Sequence, residues 1–239
     1  MIDIIVFVVK YGRLAQLVEH LLDVQRVSGS SPLTSTIKPL LSADRRGFFL
    51  RIKENEDMKK ILVLNGSPRK DSFSAALCGS LVSAASEAEI KQYNAYKMNA
   101  NPCMGCGYCD ENIGCCFSDL DEFMRDFEQA DYFVISTPVY NSGVPAPLKA
   151  IVDRFQRYYS LRFAHGVKPP VAKHKKAALV IAAGSKGDGK DEIKAMFERQ
   201  FTVLNTELVS TFFFDGTDTR TPDETAHKEA KNAGENLFA

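Results

Sequence analysis

The sequence predicts an α/β protein, a three-layer sandwich around a five-stranded parallel sheet of order 2-1-3-4-5. Three observations predict it. From Met58 onward, short apolar runs of strand length alternate with segments of helical length. The inner runs are apolar throughout rather than at alternate positions, as strands covered on both faces are. Right-handed crossovers then give a doubly wound order, whose ligands sit beyond the carboxyl ends of strands one and three.

The first strand is the run 61–64, closed by Asn65 and Gly66, which tolerate a sharp turn. Ser67, Arg69, Lys70, Ser72 and Ser74 then crowd the loop ahead of a helix expected over 73–87. A strand feeding a polar loop that opens a helix aims unpaired N–H groups at one point, where the helix dipole also favours an anion. The loop has neither the Gly-Lys-Ser/Thr ending nor Gly-x-Gly-x-x-Gly. A nucleoside triphosphate or a dinucleotide is disfavoured, and a single phosphate monoester fits.

The second strand is expected over 90–96. Cys103, Cys106, Cys109 and Cys115 follow it, with Cys116 next in the chain and Gly105 and Gly107 permitting tight turns. Thiolates two residues apart can ligate one cluster. The spacing leaves three readings open: an iron–sulfur cluster, free or redox-active thiols, and a four-thiolate zinc site, for which the third thiol is unusually close behind the second. Cys78, on the first helix, reads as a buried small hydrophobe. A helix over 119–129 carries Leu120, Phe123, Met124 and Phe127 on one stripe, which predicts core packing.

The third strand, 132–136, runs into Thr137, Pro138, Val139, Tyr140, Asn141, Ser142 and Gly143. Pro138 stiffens the exit, Gly143 is expected to permit an unusual turn, and Tyr140 offers a face for a flat ring. Pro145 and Pro147 suit the first turn of a helix over 146–160. The stretch 162–176 reads as a surface loop in which His165 is exposed rather than catalytic. The fourth strand, 177–183, leads into a small-residue loop beginning at Gly184, which either brings backbone close to a flat ligand or serves as a flexible linker. A helix over 190–203, a strand over 207–214 and a helix over 223–236 complete the pattern.

Residues 1–57 do not share this pattern. Leu14 to His20 can be encoded by a string that looks like the D-arm of a transfer-RNA gene, and Gly29-Ser30-Ser31-Pro32 by one that looks like its T-arm. Lys53-Glu54 can be encoded as a ribosome-binding sequence before Met58. The leader is therefore read as an over-extended reading frame, non-native or disordered, with Met58 as the start.

The 239 residues carry a formal net charge of +0 and 45% hydrophobic residues, which gives no support for a nucleic-acid or membrane partner. Six cysteines, mostly crowded in one loop, point to a reducing compartment, the cytoplasm, rather than to a secreted disulfide framework.

Together, Gly-Ser-Pro-Arg at 66–69, Pro-Val-Tyr at 138–140 and the segment from Pro145 to Asp153-Arg154 resemble the NAD(P)H-dependent FMN reductases of flavodoxin-like fold, over residues 58–239. The cysteine spacing resembles that family's iron–sulfur flavoprotein branch. The resemblance implies FMN with its phosphate at Ser67, Pro68, Arg69, Ser72, Phe73 and Ser74. It further implies that the flavin ring lies against Pro138, Val139, Tyr140, Asn141 and Gly143, with backbone near Gly184 at its polar edge. It implies NAD(P)H as substrate, a small-molecule acceptor or a ferredoxin-like protein partner, a homo-oligomer, and a [4Fe–4S] centre on Cys103, Cys106, Cys109 and Cys115. Cys116 is then spare.

Overall fold

A computed structural model describes residues 58–239; the reading of residues 1–57 lies outside them. Five parallel strands pair in the order β2-β1-β3-β4-β5, as the sequence predicts. They are β1 (Lys59–Asn65), β2 (Ala88–Asn94), β3 (Tyr132–Pro138), β4 (Lys175–Ala182) and β5 (Thr206–Phe214). The described helices are α1 (Phe73–Val82), α2 (Ala95–Met98), α3 (Tyr108–Glu111), α4 (Asp121–Gln129), α5 (Ala146–Asp153), α6 (Gln156–Phe163), α7 (Lys190–Val203) and α8 (Glu224–Phe238). No described helix is long and apolar enough to cross a membrane.

The twofold alternation of strand side chains builds two cores. Leu62 and Leu64 face one, packed with Phe123, Phe127, Phe133, Phe155 and Phe197. Ile61 and Val63 face the other, with Leu77, Leu81, Val134, Val180 and Phe212. The stripe on α4 is buried as expected: Phe127 lies 5.1 Å from Phe133 and 5.2 Å from Phe155 between ring centroids.

Several boundaries differ from the sequence reading. The first helix stops at Val82, where α8 crosses so closely that a Cβ on Gly234 would collide with the Leu81 carbonyl and Ala84. β2 ends at Asn94, whose side chain caps α2 by accepting from Tyr96 N at 3.0 Å. The helix expected over 146–160 is two helices, α5 and α6, parted at Arg154 and Phe155. Pro145 caps α5 and Pro147 sits in its first turn.

Lys175, at the start of β4, is fully buried. Its ammonium donates to the Lys173 and Glu128 carbonyls at 3.1 and 3.3 Å and lies 4.9 Å from the Phe127 ring centroid. Burial first, and then the Lys173 charge, lower its pKa from 10.5 to about 8. The folded chain therefore binds fewer protons than the unfolded one between these values, so this residue's contribution to stability rises with pH across that window. Keeping the charge inside at neutral pH costs roughly 2 kcal/mol after allowance for screening. Lys175→Met, which gives up two carbonyl contacts, should stabilise the fold by about 1 kcal/mol at pH 7. Denaturant melts should show that advantage shrinking as the pH rises from 8 toward 10.5.

Candidate functional site

Two concave sites lie near the carboxyl edge of the sheet. The first begins where β1 and β3 part. Gly66 N donates to the Ser136 carbonyl at 2.7 Å, and a Cβ on Gly66 would stand 2.6 Å from Leu148 Cδ2. Glycine lets the chain leave the sheet here without moving the Leu148 side chain. The loop then folds on itself. Asn65 Oδ1 accepts from Ser67 N at 2.8 Å, and Ser67 Oγ accepts from Arg69 N at 3.2 Å. Ser72 caps α1 by accepting from Ala75 N, and its hydroxyl meets Ser74 Oγ at 2.8 Å. Ser67, Ser72 and Ser74 are all buried. Three buried hydroxyls at a helix N-terminus, beside Arg69, make a cradle suited to a phosphate.

The cradle opens into a pocket of about 180 Å³. Of the residues the sequence singles out, Ser67, Arg69, Ser72, Phe73, Ser74, Pro138, Val139, Tyr140 and Gly184 line it; Pro68, Asn141 and Gly143 do not. Asp71, within the serine loop, and Ala182, at the end of β4 where the small-residue stretch begins, also line it. Thr217 and Asp218 line it too but escape the sequence reading. Thr217 and Asp218 follow β5, which enters the edge only through its pairing with β4; Thr217 N donates to the Ala183 carbonyl at 3.0 Å. Gly184 is tightly placed rather than a free linker, since a Cβ there would stand 2.7 Å from the Asp218 carboxylate.

The turn after Tyr140 corrects one expectation. Tyr140 and Gly143 exchange backbone hydrogen bonds at 2.9 and 3.0 Å, and the left-handed residues are Asn141 (φ 50°) and Ser142 (φ 58°), not Gly143. Ser142 Oγ donates to Asp188 Oδ1 at 3.1 Å, locking this turn to the loop after β4. Tyr140 stays 37% exposed at the rim.

The second site is a pocket of about 490 Å³ lined by Cys103, Cys106, Cys109, Cys115 and Cys116, with Arg154 and Arg157. Gly105 and Gly107 take positive φ (63° and 73°), which lets the loop double back. Cys106 Sγ and Cys116 Sγ are 3.4 Å apart. The Tyr108 backbone N–H, and then Cys116, hold the Cys106 thiol below its usual range, while Cys106 pushes Cys116 up to about 11. Among the described residues no group of three or more His, Cys, Asp or Glu side chains is placed to bind one metal ion. The remaining thiol, Cys78, is buried between sheet and α1, and burial pushes it up to about 12, so it stays a neutral apolar group.

Side chains around α5 and α6 hold this loop in place. Ser160 Oγ donates to Asp110 Oδ1 at 2.6 Å and lies 3.3 Å from Cys109 Sγ. His165 is half-buried, not exposed as its loop context suggests, and its Nε2 donates to the Cys109 carbonyl at 3.0 Å. Arg154 donates to the Asn101 carbonyl at 2.9 Å, the Phe117 carbonyl at 2.9 Å and Asp119 Oδ1 at 2.8 Å. Burial alone would raise the Asp119 pKa, but the Asn101 N–H and the Arg154 guanidinium outweigh it and hold the carboxyl below its usual range.

The sequence profile of the NADPH-dependent FMN reductases matches residues 59–219. An iron–sulfur flavoprotein of Methanocaldococcus jannaschii is 27% identical over 153 residues, 63% of this chain and 75% of that protein. An iron–sulfur flavoprotein of Methanosarcina thermophila is 29% identical over 136 residues, 56% of this chain and 68% of that protein. The structure of an NAD(P)H:quinone oxidoreductase from Methanothermobacter marburgensis aligns with a TM-score of 0.56 at 19% identity, covering 76% of this chain and 97% of that one. That last likeness is one of fold.

Gly189 (φ 71°) tests how firmly the two loops at the first pocket interlock. A Cβ there would collide with Val139 Cγ1 and stand 3.3 Å from Ser142 Cα, whereas Gly187 (φ 74°) has open space. Gly187→Ala should cost only the left-handed backbone penalty, about 1 kcal/mol. Gly189→Ala should cost roughly 1–3 kcal/mol more, read from denaturant midpoints.

Proposed function

The chain belongs to the NADPH-dependent FMN reductase family, and we propose that it grips FMN by its phosphate in the first pocket and holds an iron–sulfur centre in the second. It is an NAD(P)H-dependent flavin oxidoreductase that uses FMN. The observation that carries the binding mode is the set of buried hydroxyls of Ser67, Ser72 and Ser74 at the N-terminus of α1, in one pocket with Tyr140.

In this reading the hydroxyls of Ser67, Ser72 and Ser74 and the first free N–H groups of α1 donate to the phosphate, and Arg69 supplies charge. Asp71 and Asp218 bring carboxylates to the same pocket, so the helix dipole and Arg69 must outweigh them. The pocket is smaller than ordinary small-molecule sites. It therefore holds the phosphate end, while the flat end rests at the rim beside Tyr140. The interlocked turn at 140–143 fixes that tyrosine. Bound FMN supplies hydride and single-electron chemistry that no side chain provides.

The donor set of the second pocket also fits its group. All its cysteines are soft thiolate donors on one short loop. A four-thiolate zinc site needs every sulfur about 2.3 Å from a single point. A cluster takes each thiolate on a separate iron, so sulfurs spread around one pocket can each reach it. The likeness to two iron–sulfur flavoproteins supports the same choice. Cys103, Cys106, Cys109 and Cys115 are the proposed ligands, and such a centre supplies one-electron steps. Met104, Tyr108 and Ile113 are exposed around the loop, where a ferredoxin-like partner or a second copy of the chain would meet it; the terminal acceptor is a small molecule.

The chain purified without air should carry one FMN and about four irons. NAD(P)H should bleach its flavin, and a small acceptor such as a quinone should restore it. A preparation that refuses flavin in excess would end the proposal. Arg69→Ala and Ser74→Ala should each weaken FMN about 10- to 100-fold while leaving riboflavin, which lacks the phosphate, unchanged. Fluorescence titration of the two flavins separates these effects.

A further inference from the structure

Building on the reading that the loop thiols carry a metal centre, we propose that Arg154 is the positioning residue of that centre, a clamp that closes the loop 101–119 before any metal arrives. Its guanidinium holds the carbonyls of Asn101, ahead of the first thiol, and of Phe117, behind the last, together with the Asp119 carboxylate. Arg154 thus reinforces the direct bonds that Asn101 N and Nδ2 donate to Asp119 Oδ2 at 2.7 and 3.0 Å, and joins the two ends of the thiol-bearing stretch. Ser160 and His165 touch only its middle, at Asp110 and Cys109. Arg154 is 3% exposed, and its guanidinium packs 5.2 Å from the Phe117 ring centroid. A planar fork on three acceptors is a geometry that lysine cannot reproduce.

A second observation points toward the occupant of the pocket. Arg154 lines the thiol pocket, and its Nε–H is buried with no partner. A buried donor left unpaired is costly unless something accepts from it. Sulfur of a thiolate-ligated centre is such an acceptor, and the guanidinium opposes the negative charge that several thiolates gather. The clamp also removes, in advance, the entropy of closing a loop of this length. The break between α5 and α6 at Arg154 and Phe155 is where this side chain leaves the helix.

The test uses the full chain, wild type, Arg154→Met and Arg154→Lys, produced with iron supplied and purified without air. Iron per bound flavin is measured, and amide exchange over 101–119 is followed in the iron-free protein. Arg154→Met should keep its flavin but lose about tenfold or more in iron affinity, the range typical of residues that orient metal ligands. Exchange across 101–119 should accelerate while the sheet amides stay unchanged. Wild-type iron loading with wild-type exchange would overturn the proposal. Should Arg154→Met fail to fold, judged by loss of flavin and of cooperative melting, Arg154→Lys carries the test. It keeps the buried charge without the fork, so weakened loading supports the clamp and full loading overturns it. A wild-type chain that binds flavin but no iron, with the loop still loosened in Arg154→Met, would overturn the metal reading and leave the clamp standing.

Discussion

The hydrogen bond from Gly66 N to the Ser136 carbonyl is the last rung between β1 and β3, and both sites depend on where it ends. Beyond it the strands have no partner in each other, so their loops diverge and a cleft must open. The rung also brings the β1 exit against the Leu148 side chain, near the start of α5, where a Cβ on Gly66 would displace Leu148 Cδ2. That contact fixes two directions at once. The serine loop turns toward α1, and the tyrosine loop turns into α5.

The segment 146–163 then links the sites. Its first turn follows the loop that carries Tyr140, and its break delivers Arg154 to the thiol loop. The tyrosine loop and the cysteine loop, far apart in the sequence, are thus tied to one pair of helices. α4 and the sheet bury the inner face of that pair through Phe155 and Tyr158, and Tyr158 OH donates to Glu128 Oε1 at 2.8 Å. Packing of this density resists independent movement of its parts. Geometry set at one site is therefore carried to the other without a flexible joint between them.

Much of this was legible in the sequence, and the failures are instructive. The apolar runs located the inner strands, because a covered parallel strand writes itself as an unbroken hydrophobic stretch. The handedness of the crossovers gave their order. The N-terminus of α1 was legible because short hydroxyl side chains before a helix commonly cap it, as Ser72 does. What escaped depends on tertiary neighbours. Thr217 and Asp218 reach the cleft only because β5 pairs with β4. His165 sits in a segment of exposed character, yet the Cys109 carbonyl fixes it. Gly143 was the natural candidate for a left-handed turn, but Asn141 and Ser142 take it, held by the bridge between Tyr140 and Gly143. The split of the helix after Pro145 carries no strong local signal, since residues 150–158 contain neither Gly nor Pro.

The shallow reach of the first pocket has a consequence for selectivity. If the cleft anchors FMN by its phosphate alone, as proposed, its aromatic flank, partly open to solvent, would impose little shape on whatever arrives at the other end. Discrimination among visiting molecules then falls to collision frequency and redox match instead of to fit. Such a surface would suit a generalist, and narrowing its diet would take a further wall beside Tyr140.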